Sequence, residues 1–346
     1  MSNERQEALD SPSASGGNKS PIDWQRFVGL VQSHQRFLLT THIRPDCDAI
    51  GSTMGMAGVL DRLGKDVRLV ADFDVPRHQQ FLDPQKRFRR IGTQATLADL
   101  ADVEMLIVLD TSAWAQLGGM GDVLRATRAV KAVLDHHVSG DDLGAEMFKD
   151  TSAEATGRIV VEAAGQLGVA LSPDIARPLF AALATDTGWF RFGSATARTY
   201  RLAAALTDAG VAPHTLYRDL YENDSLGRLR LLGRAMGRTE VEREGRLIHT
   251  YIEQTDFQQS GAAPSDSEDI VNMMFTVAGT EVAVILVEQP QGGFKISFRS
   301  RNALDCAKLA EMFGGGGHRA AAGAFVSGAL ADAQARVLDA VRAAMR

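Results

Sequence analysis

At 346 residues, with 45% hydrophobic and 23% charged residues, the chain has a globular composition and enough length for two domains of ordinary size. Its formal net charge of −6 argues against duplex or long single-stranded nucleic acid as a partner, so any nucleotide substrate is expected to be short. Two cysteines, Cys47 and Cys306, make no disulfide framework and fit a reducing compartment.

Residues 1–21 are polar and lack the apolar centre of a signal peptide, so they read as a disordered tail. No later run reaches membrane-spanning length, and a cytoplasmic protein is expected. Residues 22–212 then alternate short apolar runs with helical patterns. Strands are predicted over 36–41, 66–71, 105–109 and 130–134, and helices over 49–63, 153–167, 174–185 and 197–209. That alternation predicts an α/β domain with a mainly parallel sheet covered by helices on both faces. Pro213 opens a helical connector over 213–236, broken near Asn223-Asp224. Residues 237–346 change character. Hairpins are predicted around Glu244-Gly245 and around Gln289–Gly293, followed by a helix over 305–313, a glycine loop, a strand over 322–326 and a last helix over 330–345. This makes a smaller α+β domain.

Three predicted strands each run into acids or histidines. The first leads to His42, Asp46 and Asp48, the third to Asp110 and the fourth to Asp135-His136-His137, while Asp186 sits in Thr185-Asp186-Thr187-Gly188. Such groups can meet at the carboxyl edge of an open α/β sheet, where sites form. Pro45 disfavours helix at Arg44, so the helix is expected to begin after both acids. Helix capping is the competing role for Asp46 or Asp48, and for Asp110 taken alone. One acid would suffice for a cap, whereas two acids with a histidine favour metal. Carboxylates mixed with imidazoles suit a pair of divalent ions, Mn²⁺ first, with Mg²⁺ or Co²⁺ as alternatives. Cys47, between two acids, reads as a packing residue.

A second cluster lies far downstream. Gly314 to Gly317 precede His318-Arg319, a pattern suited to an anion through backbone N–H groups and a guanidinium fork. Upstream, the alternation Lys295-Ile296-Ser297-Phe298-Arg299-Ser300-Arg301 puts Lys295, Ser297, Arg299 and Arg301 on one strand face. A solvated edge strand would look the same.

Over residues 22–346 these motifs resemble the DHH–DHHA1 phosphoesterases, and within them the nanoRNase/pAp phosphatases. The compact two-domain length, Thr185–Gly188 and Ser297–Ser300 point to that branch. The resemblance implies that His42, Asp46 and Asp110 hold one ion, and that Asp48, Asp110, His136 and Asp186 hold the other. Asp110 would bridge the two. Asp135 would orient a histidine, His137 would face the scissile phosphate, and both would be catalytic. Gly315, Gly316, Gly317 and His318, with Arg299, would hold the substrate's terminal phosphate or nucleotide, with Ser297, Arg301 and Arg319 beside them. The implied reaction is hydrolysis of short oligoribonucleotides, linear dinucleotides and the 3′-phosphate of pAp. A cyclic-di-AMP phosphodiesterase is the rival enzyme, and a nucleotide-sensing module the rival without turnover. A homodimer is compatible with the sequence, and a membrane partner is not expected.

Overall fold

The computed structural model describes residues 21–301 and 304–345. The polar tail, apart from its last residue, lies outside the described residues. The chain divides into two compact units, the first ending at Asn223 and the second beginning at Asp224. The break falls inside the segment expected to be a connector.

In the first unit six strands run in the order β3-β2-β1-β4-β5-β6, every neighbouring pair parallel. They are β1 (Arg36–Thr40), β2 (Asp66–Ala71), β3 (Phe88–Arg90), β4 (Met105–Leu109), β5 (Val130–Asp135) and β6 (Glu146–Lys149). The helices are α1 (Trp24–Ser33), α2 (Cys47–Arg62), α3 (Met120–Ala126), α4 (Thr156–Gln166), α5 (Pro173–Asp186), α6 (Ala197–Asp208) and α7 (Pro213–Tyr221). Strand β4, Met-Leu-Ile-Val-Leu, is buried along its whole length. An unbroken apolar run of that kind belongs to a parallel sheet covered on both sides. Its alternate residues feed two cores: Ile107 and Leu109 pack with α2, α4 and α5, while Leu106 and Val108 pack with α3. Because β1, β4 and β5 are neighbours, the chain segments that leave their carboxyl ends emerge side by side.

Helices α2 and α5 pack tightly, and small residues are the reason. Gly51 and Gly55 sit one turn apart on α2. A Cβ at Gly51 would lie 2.3 Å from the Pro178 carbonyl oxygen, and one at Gly55 would lie 2.4 Å from Leu179. The two helices therefore run antiparallel at close range, which brings Asp186 at the end of α5 beside Asp48 at the start of α2.

The second unit has a mixed sheet in the order β11-β12-β10-β9-β8-β7. Its elements are α8 (Leu226–Gly237), β7 (Glu240–Glu242), β8 (Leu247–Ile252), α9 (Gln254–Ser260), α10 (Ile270–Met273), β9 (Val282–Glu288), β10 (Phe294–Ser300), α11 (Cys306–Glu311), β11 (Gly316–Gly317), β12 (Ala321–Val326) and α12 (Leu330–Ala344). One face packs on α11 and α12, and the other is covered at β8 and β9 by α8 and α10. Leu231 and Ala235 of α8 belong to this second core, whereas Leu216 of α7 belongs to the first. Each helix of the expected connector is thus anchored in its own unit. Among the described residues no helix is long and apolar enough to cross a membrane.

Candidate metal centre

The segments leaving β1, β4 and β5, the first turn of α2 and the end of α5 converge on one cluster. His42, Asp46 and Asp110 bring one ligand atom each within 4.8 Å of one another, as do Asp48, His136 and Asp186, and as do Asp110, His136 and His137. Asp110 is common to two of these groups. Its carboxylate stands between two imidazoles, 3.4 Å from His42 Nε2 and 3.5 Å from His136 Nε2. Its backbone is left-handed, at φ 60°, in the turn just past β4, a conformation costly for a side-chain-bearing residue and often found at functional sites.

Helix α2 starts earlier than the sequence suggests. It begins at Cys47, so Asp46 is the N-cap, its Oδ1 accepting the Ala49 N–H at 2.9 Å, and Asp48 lies inside the first turn. Pro45 disfavours helix only at Arg44, and the cap adds a reason to start one residue after Asp46. Capping and proximity to His42 are therefore compatible roles for Asp46. Cys47 is buried, and burial with the flanking acids pushes its thiol up to about 12, which leaves it an unreactive packing group.

Asp48 is fully buried, and both of its oxygens accept backbone N–H groups of the first turn of α4. Thr156 donates at 2.7 Å and Gly157 at 2.9 Å. The Thr156 hydroxyl donates to Asp110 at 2.9 Å. The His136 Nδ1 lies 3.1 Å from the Ala153 carbonyl, which can only accept, so Nδ1 carries the proton and Nε2 presents its lone pair to the acids. That Nε2 lies 3.4 Å from Asp186 and 3.8 Å from Asp48.

Asp135 faces the other way. Its Oδ1 accepts from the His137 ring at 2.7 Å, while Oδ2 accepts from the Ser112 hydroxyl at 2.7 Å and lies 3.2 Å from Lys149 Nζ. Burial pushes this carboxyl up, but the hydrogen bonds from His137 and Ser112 outweigh it and hold it at about 2. The same bond raises the His137 imidazole above its ordinary range. His137 is half exposed, and its Nδ1 is committed to Asp135.

The remaining charges do not balance. Burial first, then neighbouring acids, pushes Asp48 and Asp110 well above the usual carboxylate range and Asp186 up to about 7. Burial also lowers His42 and His136, so these rings are neutral. Among the described residues the ion-pair partners of Asp48, Asp110 and Asp186 are histidines. Hard oxygen donors and neutral imidazoles packed together, with no guanidinium or ammonium paired to Asp48, Asp110 or Asp186 among the described residues, fit divalent cations.

The downstream motifs lie on the second unit. Strand β10 buries Phe294, Ile296, Phe298 and Ser300 and turns Lys295, Ser297 and Arg299 outward, as the alternation predicts. Arg301 lies just past the end of that row, its backbone N–H donating to the Glu281 carbonyl at 3.0 Å. The strand ends at Ser300, and Arg301 stacks its guanidinium on Phe275, 4.5 Å from the ring centre. Arg299 donates to the Asn272 side chain at 3.0 Å. The glycine run is not a free loop either. Gly316 and Gly317 form β11, paired with Gly323 and Ala322 of β12. A Cβ at Gly315 would lie 2.2 Å from the Gly323 carbonyl oxygen, so close backbone packing requires glycine there. Gly316 has open space where a Cβ would be, and His318 and Arg319 are exposed beside it.

Thr156, Ser112, Lys149 and the Ala153 carbonyl were not singled out from the sequence. They hold the clustered side chains in place rather than forming a motif, and the short β6 that carries Lys149 has no strong apolar pattern.

Two family models match the chain: the N-terminal domain of the DHH family over residues 36–183 and the DHHA1 domain over residues 244–346. The chain is 32% identical over 308 residues to the bifunctional oligoribonuclease and PAP phosphatase NrnA of Thermus thermophilus, covering 88% of each protein. The chain belongs to the DHH–DHHA1 family. Another family member of the same name, from Bacillus subtilis, is 24% identical, with 86% of this chain and 92% of that protein aligned. The same fold occurs in the crystal structure of an exopolyphosphatase-related protein from Bacteroides fragilis, with a TM-score of 0.82 at 23% identity over 92% of this chain and 95% of that one.

Proposed function

We propose that this chain hydrolyses very short oligoribonucleotides and linear dinucleotides and removes the 3′-phosphate of pAp in the cytoplasm. It is a hydrolase acting on phosphoester bonds. The observation that carries the reading is the placement of Asp110, shared between the His42–Asp46 pair and the His136 group. In this assignment His42, Asp46 and Asp110 hold one divalent ion, and Asp48, Asp110, His136 and Asp186 hold its neighbour, with Mn²⁺ the favoured metal. When bound, such a pair activates water and offsets charge on the phosphoryl oxygens.

The chain's own groups supply the rest. His137, whose imidazole is raised above its ordinary range by the bond to Asp135, presents a half-exposed ring to a phosphate beside Asp110 and, when protonated, can give a proton to the leaving oxygen. Asp135 keeps that ring oriented, with Ser112 and Lys149 satisfying its other oxygen. On the DHHA1 unit, the outward-facing Ser297 and Arg299 of β10, with the exposed Gly316 and His318, are assigned to the terminal phosphate.

The deciding experiment is a turnover comparison in Mn²⁺ of pAp, pApA, linear di-GMP, cyclic-di-AMP and a long RNA. The reading predicts fast hydrolysis of the first three and slow hydrolysis of the long RNA. Preference for cyclic-di-AMP would replace it with the cyclic-dinucleotide reading, and binding without turnover would replace it with a sensor.

His318→Ala should raise KM for terminally phosphorylated dinucleotides about ten- to a hundredfold, the cost of a charge-assisted hydrogen bond. Metal content and hydrolysis of bis-p-nitrophenyl phosphate should stay unchanged. Loss of metal in that variant would place His318 in the wrong role.

A further inference from the structure

We propose that Arg158, on α4, is a positioning residue for the metal-ligand cluster, acting by clamping the segment from Asp150 to Gly157 in one conformation. The inference rests on the metal assignment above and adds a residue that carries neither a motif nor a ligand atom.

The segment contributes four hydrogen bonds to three of the clustered side chains. The Ala153 carbonyl fixes His136, the Thr156 and Gly157 N–H groups fix Asp48, and the Thr156 hydroxyl fixes Asp110. Its own shape is therefore transmitted directly to the ligand atoms. Two features set that shape. The Asp150 carboxylate and carbonyl turn the chain back on itself, accepting from the Ser152 N–H at 2.9 Å, its hydroxyl at 2.6 Å and the Ala153 N–H at 3.0 Å. The Arg158 guanidinium then ties the turn to α4. Its Nη2 donates to Asp150 at 2.7 Å, and its Nε lies 3.2 Å from Glu154.

This clamp is buried. The side chain of Arg158 is 3% exposed, with those of Asp150 and Glu154 at 6% and 5%. Glu162 approaches Nη1 at 3.7 Å and is itself held by Arg198 at 2.7 Å. Burying one cation among carboxylates is a poor route to stability, because desolvation offsets most of the attraction. What an arginine provides that an apolar side chain cannot is a rigid planar cation that hydrogen-bonds one carboxylate, Asp150, while lying in ion-pair contact with a second, Glu154. Here those two carboxylates bracket the carbonyl that sets the His136 tautomer.

The test uses the full chain stripped of metal. Mn²⁺ binding is titrated by electron paramagnetic resonance, and the His136 Nδ1–H is observed by long-range ¹H–¹⁵N correlation in the metal-free protein. Circular dichroism monitors the fold. Two variants are compared with wild type: Arg158→Lys, which keeps the charge without the fork, and Arg158→Met combined with Asp150→Asn and Glu154→Gln, which removes the charges together. Groups that orient metal ligands typically contribute ten- to a hundredfold to affinity, and a weakening of about that size is expected in both variants. The His136 Nδ1–H signal should shift or broaden with it.

If either variant folds and matches wild type in Mn²⁺ affinity and in the His136 signal, Arg158 only balances buried charge and the proposal is wrong. Loss of the fold in both variants would equally make its role structural. If wild type itself binds no Mn²⁺, the metal assignment fails, and the His136 signal alone then decides whether Arg158 positions that ring.

Discussion

Asp110→Asn is expected to lower turnover at least about a thousandfold while the fold survives. The substitution is nearly isosteric, and the backbone N–H of residue 110 still donates to the Leu134 carbonyl at 2.9 Å. What disappears is the negative charge that both halves of the cluster share, 3.4 Å from His42 and 3.5 Å from His136. A pair of divalent ions supplies several kcal/mol of transition-state stabilisation, and about 4 kcal/mol corresponds to a thousandfold in rate. The metal-free variant should also melt at a higher temperature than metal-free wild type, because burial and neighbouring acids disfavour the ionised Asp110 carboxylate, a cost that the neutral amide does not carry. Single-turnover kinetics at saturating Mn²⁺, with a thermal melt alongside, measure both effects. Near-normal turnover would remove Asp110 from the centre of the reading.

The metal-free protein should lose stability as pH rises from 6.5 to 8, and Mn²⁺ should abolish that loss. Asp186 is raised to about 7, and Asp48 and Asp110 are raised well above the usual carboxylate range, so the native state holds protons that the unfolded state has released. His137 is raised as well, and its contribution is present below its ordinary value and lost as pH climbs through the folded value. Each proton held only by the native state changes stability by about 1.4 kcal/mol per pH unit, so release of the Asp186 proton alone should cost about 1 kcal/mol across the window. For a domain of this size that is on the order of 2–4 °C in Tm. His42 and His136 are lowered, which makes stability rise with pH below 6.5 and opposes the acids there, so the upper window isolates the effect. Calorimetry with chelator and with Mn²⁺ at three pH values checks it. A metal-free melting temperature that stayed level or rose between pH 6.5 and 8 would mean that the acids are not charged against one another.

The α/β architecture was legible because buried parallel strands leave a strong local record. Met105–Leu109 is an uninterrupted apolar run and is a strand over those residues, and the turns Glu244-Gly245 and Gln289–Gly293 both join antiparallel strands. The helix break near Asn223-Asp224 was equally plain. What the sequence could name at the candidate centre was residue type: acids and imidazoles at strand ends, where a short motif carries its own signal.

Which of those groups share an atom's reach was decided by the tertiary structure. Asp186 joins Asp48 because the glycine stripe of α2 admits α5 at close range, a contact between residues far apart in sequence with no local signature. The protonation of His136 depends on one carbonyl, Ala153, and the orientation of Asp48 on two N–H groups of α4, and backbone groups are the same in every sequence. The glycine run looked like a loop because glycine is compatible with both a flexible anion-binding turn and a closely paired strand. Only the packing of Gly315 against Gly323 distinguishes them. Side-chain chemistry is written residue by residue, whereas distances and proton positions follow from packing between segments that the chain brings together only on folding.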